Sequence, residues 1–76
     1  QRMDVRLAAR LLELAEGGVV HATHQVLGTE LGTAREVVSR TLSEFQRRGW
    51  IEQGRGEIRL TGRSGLEHLA RSAGER

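Results

Sequence analysis

Four side chains between positions 35 and 40 hold the most legible chemistry of the chain. Arg35, Glu36, Ser39 and Arg40 lie on the outer face or flank of a stretch with helical spacing. At about 100° per residue, Ala34, Val38, Leu42 and Phe45 share one side, and Glu36, Arg40, Ser43 and Arg47 share the opposite one. A helix packed through the first set turns arginines, a carboxylate and hydroxyls outward. Arginine can donate two parallel hydrogen bonds to guanine O6 and N7, and glutamate can accept from cytosine N4. This is the equipment for reading base edges. The competing use is a surface ion pair between Glu36 and Arg40, one helical turn apart and worth about 0.3–0.5 kcal/mol. The two uses are compatible, because such a pair would orient both side chains in the absence of a ligand. Ser39 reads either as a base contact or as part of a solvated face. Val37 reads as a thymine-methyl contact or as packing.

Composition narrows the classes. Seventy-six residues make one small domain. All 12 basic residues are arginine. That suits phosphate and guanine recognition, although a GC-rich genome would produce the same bias. Phe45 and Trp50 are the only aromatic residues, too few for binding a single strand by base stacking. Cysteine is absent, which excludes disulfides and thiolate chemistry. His21, His24 and His68 share no regular face, so no metal site is expected, and the glycines follow no phosphate-loop spacing. No nucleophile–base arrangement stands out, and neither enzyme activity nor a cofactor is expected of this domain. With no apolar run near about 18 residues and no signal pattern, a soluble cytoplasmic protein without a membrane partner is expected. The start Gln1-Arg2-Met3-Asp4 reads as a cut within a longer chain.

The elements that must position the four side chains can be placed in order. A helix is expected over 4–15, capped by Asp4, with Val5, Leu7, Ala8, Leu11, Leu12, Leu14 and Ala15 as its apolar face. Its polar strip, Arg6, Arg10 and Glu13, reads as a solvated back, and Gly17-Gly18 as its stop. A short edge strand follows over 19–22. Thr23 then caps a helix over 24–31, with Val26, Leu27 and Leu31 inward. Gly28 inside it should cost about 1 kcal/mol relative to alanine, which the close approach of another helix would explain. Gly32 supplies a turn. Thr33 and Glu36 fit a capping box for the helix over 34–48, which Gly49 ends. Alternating segments around Gly54-Arg55-Gly56 predict a hairpin over 50–60. Thr61 or Ser64 would cap a last helix over 63–72, with Ser64 and Glu67 as a second capping box. Leu66, Leu69, Ala70 and Ala73 are its apolar face, and a frayed tail follows at 74–76. The predicted fold is mainly α with a small β-hairpin: a winged helix-turn-helix, with the helix over 34–48 for the major groove.

The run from Thr23 to Leu42, with the core Gly32-Thr33-Ala34-Arg35-Glu36-Val37-Val38-Ser39-Arg40, resembles the helix-turn-helix of the cyclic-AMP receptor protein/fumarate–nitrate regulator (CRP/FNR) family. Phe45 to Glu52 and the Gly54-Arg55-Gly56 turn continue the likeness, which covers about residues 4 to 70. The resemblance implies sequence-specific binding to double-stranded DNA by a bacterial transcriptional regulator. It implies a full-length homodimer, held together by an N-terminal sensor domain and dimer helix absent here, that meets RNA polymerase. The effector would belong to that sensor domain. Arg35, Glu36 and Arg40 match the base readers of one branch, and Glu36, Ser39 and Arg40 the pattern of the other. A TGTGA- or TTGA-like half-site is therefore implied. Thr23, His24, Gln25, Thr33 and the hairpin-tip Arg55 are candidates for the DNA backbone. The family's polymerase-contacting surface loop is not carried over, because Gly17-Gly18 is far shorter. Ala34 replaces a serine that often contacts phosphate. The alternative reading is a winged helix that binds a protein; Trp50 reads either as an exposed anchor for it or, as the favoured role, as a cap on the core under the wing.

Overall fold

The computed structural model describes residues 2–72. Seven elements follow one another: α1 (Met3–Leu14), β1 (Val19–Val20), α2 (His24–Leu31), α3 (Arg35–Arg47), β2 (Glu52–Gly54), β3 (Glu57–Arg59) and α4 (Arg63–Ser72). This is the winged helix-turn-helix arrangement, with β2 and β3 as the wing. The sheet order is β1-β3-β2, all antiparallel. β1 is thus an edge strand, but only two residues long, pairing Val19 with Arg59 and Val20 with Ile58.

One core holds the elements together. Leu7, Ala8 and Leu11 of α1, Val20, Leu27 and Leu31 of α2, Val38, Leu42 and Phe45 of α3, Ile51, Ile58 and Leu66 of α4 form a single buried cluster. The apolar face of α1 packs most extensively on α4, while α2 packs on α3. Helix α3 is therefore clamped from behind, and its polar side is left outside.

Several local expectations need correction. Gly17-Gly18 does not end α1, which stops at Leu14 with Ala15 in an extended conformation. Both glycines have positive φ (63° and 80°), and Glu16 and Val19 exchange two backbone hydrogen bonds across them (2.9 and 3.2 Å). This is the geometry of a tight two-residue hairpin turn leading into β1, which favours glycine at both central positions. Asp4 is not the cap of α1. The helix begins a residue earlier, after Arg2, and Asp4 accepts from the Val5 N–H (2.8 Å) and pairs with Arg2 (3.2 Å).

Val26 is not inward. It is 46 % exposed, because an eight-residue helix that buries Leu27, Gly28 and Leu31 turns position 26 about 100° away from that face. Ala34 is also exposed, lying ahead of α3. At the last helix, Thr61 donates to the Gly49 carbonyl (3.2 Å) and Ser64 lies inside the first turn, so neither plays the expected capping role; Glu67 pairs with Arg63 instead (3.0 Å). Leu66 is buried, with Leu69 and Ala70 half-buried beside it. The expected place of Ala73 on that face and the fraying of 74–76 lie outside the described residues.

The polar strip of α1 is more than a solvated back. Arg6 donates to the Leu31 carbonyl at the end of α2 (2.8 Å), where a cation complements the negative pole of the helix. Arg10 bridges to Glu30 of α2 (2.8 Å) and to Glu13 (3.0 Å). Hydrogen bonds from Arg10 to Glu30, then Glu13, raise the guanidinium pKa further above its already high value.

Candidate nucleic-acid interface

The turn between α2 and α3 sets the direction in which α3 leaves α2. Thr23 caps α2, its hydroxyl oxygen accepting from the Val26 N–H (3.1 Å). Gly32 ends α2 in the left-handed region (φ 70°, ψ 37°), a conformation that glycine adopts without steric cost. The Thr33 N–H then reaches back to the Gly28 carbonyl (2.8 Å), so Thr33 closes α2 rather than opening α3. The residue preceding α3 is Ala34, with no side-chain cap. The expected Thr33–Glu36 capping box is absent for this reason. Gly28 makes the close approach possible: a Cβ there would lie 2.9 Å from the Thr33 carbonyl oxygen and 3.4 Å from the Arg35 nitrogen.

At its other end α3 is stopped by Gly49 (φ 81°). The Trp50 N–H donates to the Phe45 carbonyl (3.0 Å) and the Gly49 N–H to Gln46 (2.9 Å), the paired bonds of a Schellman motif. Trp50 is half-buried rather than a free anchor. Its ring lies 5.5 Å from Phe45, Arg48 sits 5.3 Å above it, and Gly65 leaves room for it against α4. Glu44 bonds Arg47, and Arg48 at 2.8 Å, which holds the Glu44 carboxyl below the usual carboxylate range.

With Arg47 and Arg48 engaged, three charged side chains of α3 are left open. Arg35, Glu36 and Arg40 are exposed, and none forms an ion pair or side-chain hydrogen bond among the described residues. The Glu36–Arg40 surface pair is thus not formed. One turn of helix, about 5.4 Å, separates the two side chains along the axis. Val37 is half-buried.

Ser39 and His24 are brought together in a way their sequence positions do not reveal. The His24 ring lies between the Ser39 Oγ (2.7 Å from Nδ1) and the Gln53 Oε1 (2.7 Å from Nε2). Gln53 is in turn held through its backbone N–H by Gln46 Oε1 of α3 (3.0 Å). The start of α2, the middle of α3 and the wing strand β2 therefore meet at one imidazole. Of the remaining candidates, Gln25 and Arg55 are exposed and make no side-chain hydrogen bond among the described residues, and Thr33 is half-buried beside the turn. Arg55 sits at the wing tip, in a two-residue turn whose second position, Gly56, has φ 69°. Gln46 and Gln53 were not legible as site residues, since no local spacing marks a contact made across the fold.

The fold, with the open arginines on α3, is that of a winged helix-turn-helix domain. The chain belongs to the Crp-like helix-turn-helix domain family, whose model matches residues 5–69. It is 39% identical over 84 residues to the transcriptional regulator SdrP of Thermus thermophilus, a match spanning 99% of this chain and 42% of that protein. It is also 39% identical over 82 residues to a CRP-like cAMP-activated global transcriptional regulator of Mycobacterium tuberculosis, spanning 90% of this chain and 34% of that one. Among solved structures, a CRP/FNR-family regulator of Thermus thermophilus superposes with a TM-score of 0.83 at 40% identity, covering 92% of this chain and 41% of that one. A putative regulator of the same family from Eubacterium rectale gives 0.88 at 36% identity, covering 93% and 34%. The chain thus spans less than half the length of these relatives.

Proposed function

We propose that this domain binds double-stranded DNA in a sequence-specific manner, with α3 in the major groove. The observation that carries the reading is the open set Arg35, Glu36 and Arg40 on a helix whose opposite face is locked into the core. Arg35 and Arg40 each suit a guanine, and Glu36 suits a cytosine amino group. Ser39 is the fourth reader. A half-site of TGTGA or TTGA type agrees with this donor and acceptor set. Thr23, Gln25 and Thr33 lie around the start of α2 and the inter-helix turn, where free N–H groups and the helix dipole favour phosphate. Arg55 is placed at the wing tip for the neighbouring backbone. His24 also stands at the start of α2, but both of its ring nitrogens are engaged within the protein. A backbone contact there falls to its main-chain N–H.

In the longer protein, regions outside this sequence would pair two such domains on a two-fold site and meet RNA polymerase, in the cytoplasm, under an effector bound elsewhere. This domain itself needs no cofactor for the proposed contacts. Among the described residues no helix is long and apolar enough to cross a membrane.

Two substitutions separate reading from anchoring. Arg40→Ala is expected to weaken binding to the selected half-site by about 1–3 kcal/mol and to relax discrimination at one base pair. Arg55→Ala is expected to weaken all duplexes alike and to lower the salt dependence by about one phosphate contact. Titration of both variants against specific and scrambled duplexes over a salt series measures the two effects. An Arg40→Ala domain that keeps the wild-type preference at every base pair would place the groove face elsewhere.

A further inference from the structure

We propose that His24, fixed by Gln53, is a positioning residue that sets which hydrogen-bond role Ser39 offers to DNA. The inference rests on the DNA-binding reading above. A neutral imidazole carries one N–H donor and one acceptor nitrogen. Gln53 presents its carbonyl oxygen to Nε2 at 2.7 Å, which requires the proton to be there. Nδ1 is then the acceptor, and the partner at 2.7 Å, Ser39 Oγ, must donate to it.

A serine hydroxyl has a single proton and two lone pairs. With the proton spent on His24, Ser39 faces outward as an acceptor only. In the major groove an acceptor is matched by the amino groups of adenine N6 and cytosine N4, and mismatched with guanine O6 and thymine O4. A serine with a free rotor serves either kind of base. The wing therefore narrows the specificity of α3 without touching a base. The wing is itself anchored for the task, because Gln46 of α3 holds the Gln53 backbone (3.0 Å) and β2 pairs with β3 along its length. Glu57 lines the same concavity as His24 and Gln53, and its charge is paired with Arg59 (3.3 Å).

The test uses the 76-residue chain at about pH 8, above the usual imidazole range. Affinities are measured for duplexes carrying each base in turn along the half-site, and the pair that Ser39 faces is the one where Ser39→Ala alters the preference. Wild type is expected to favour an amino-bearing base there by about three- to tenfold, the worth of one hydrogen bond. Gln53→Leu, at a position bonded to His24 and Gln46 but not to Ser39, removes the acceptor that fixes the tautomer. It is expected to flatten that single preference while leaving those owed to Arg35, Glu36 and Arg40 intact. Gln53→Glu retains an acceptor and should keep the preference. Long-range nitrogen-15 spectra of wild type should show His24 protonated at Nε2.

A Gln53→Leu domain with the wild-type preference at that pair would overturn the proposal and leave the DNA reading standing. A His24 protonated at Nδ1 would do the same. If wild type bound every duplex alike, the DNA reading would fail and the proposal with it.

Discussion

Replacing Phe45 by alanine is expected to remove a large share of the stability of this domain. The side chain is 2 % exposed and sits on the inner face of α3 with Val38 and Leu42, each 0 % exposed. Its ring meets Trp50 at 5.5 Å, and its carbonyl accepts the Trp50 N–H that closes the helix. Truncating a buried phenylalanine costs about 3–5 kcal/mol, because the surrounding structure relaxes only partly into the cavity. A chain of 76 residues has roughly 4–11 kcal/mol in total. Urea unfolding should show the midpoint falling steeply with little change in slope. Val26→Ala, at an exposed position, should stay within about 0.5 kcal/mol of wild type. A loss below about 1 kcal/mol for Phe45→Ala would mean that α3 is held by something other than this packing. The prediction bears on function because no other element carries Arg35, Glu36 and Arg40.

The large elements were legible because their apolar residues recur at helical spacing over several turns. Phe45 follows Val38 and Leu42 on one stripe, and the helix over 34–48 is observed as Arg35–Arg47. The helix ends were read less well, and for a single reason. Thr33 and Asp4 have the composition of caps, but each lies where chain geometry assigns it another bond. Thr33 gives its N–H to Gly28, and Asp4 turns to the Val5 N–H and to Arg2. A cap is decided by a few dihedral angles, which local sequence biases without fixing. Gly17-Gly18 shows the same limit: two glycines permit either a helix stop or a hairpin turn, and the pairing of β1 with β3 selects the turn.

The candidate site divides along a similar line. Arg35, Glu36 and Arg40 belong to one helix, so their shared outward side followed from spacing alone. The isolated i,i+4 rule also suggested that Glu36 and Arg40 would pair, and they do not. Ser39, His24 and Gln53 come from three elements separated by 15 and 29 positions along the chain, and only the packed fold brings them within hydrogen-bond reach. The same holds for Arg6 at the end of α2. Side chains that tie elements together are long-range by nature, and a periodicity argument does not reach them.

Gly28→Ala is the second large effect expected, and it joins stability to aim. In a helix interior alanine should gain about 1 kcal/mol over glycine. Here the added methyl would lie 2.9 Å from the Thr33 carbonyl oxygen and 3.4 Å from the Arg35 nitrogen. Both neighbours are backbone, so no rotamer change relieves the contact. The chain between them is also tied down, since Thr33 donates to the Gly28 carbonyl at 2.8 Å. The turn must move outward, at a cost typical of overpacking, about 1–3 kcal/mol, which exceeds the propensity gain. Arg35 opens α3, so the same movement shifts the first of the proposed readers relative to the start of α2. Specific binding should fall by more than non-specific binding, because base contacts demand registry and phosphate contacts tolerate its loss. Thr29→Ala, at the exposed neighbouring position, provides the control for helix propensity and should be neutral or slightly stabilising. Urea unfolding and duplex titration of the two variants measure both halves. A Gly28→Ala domain as stable as Thr29→Ala, with undiminished preference for the half-site, would show that the turn has slack and that α2 does not set the aim of α3.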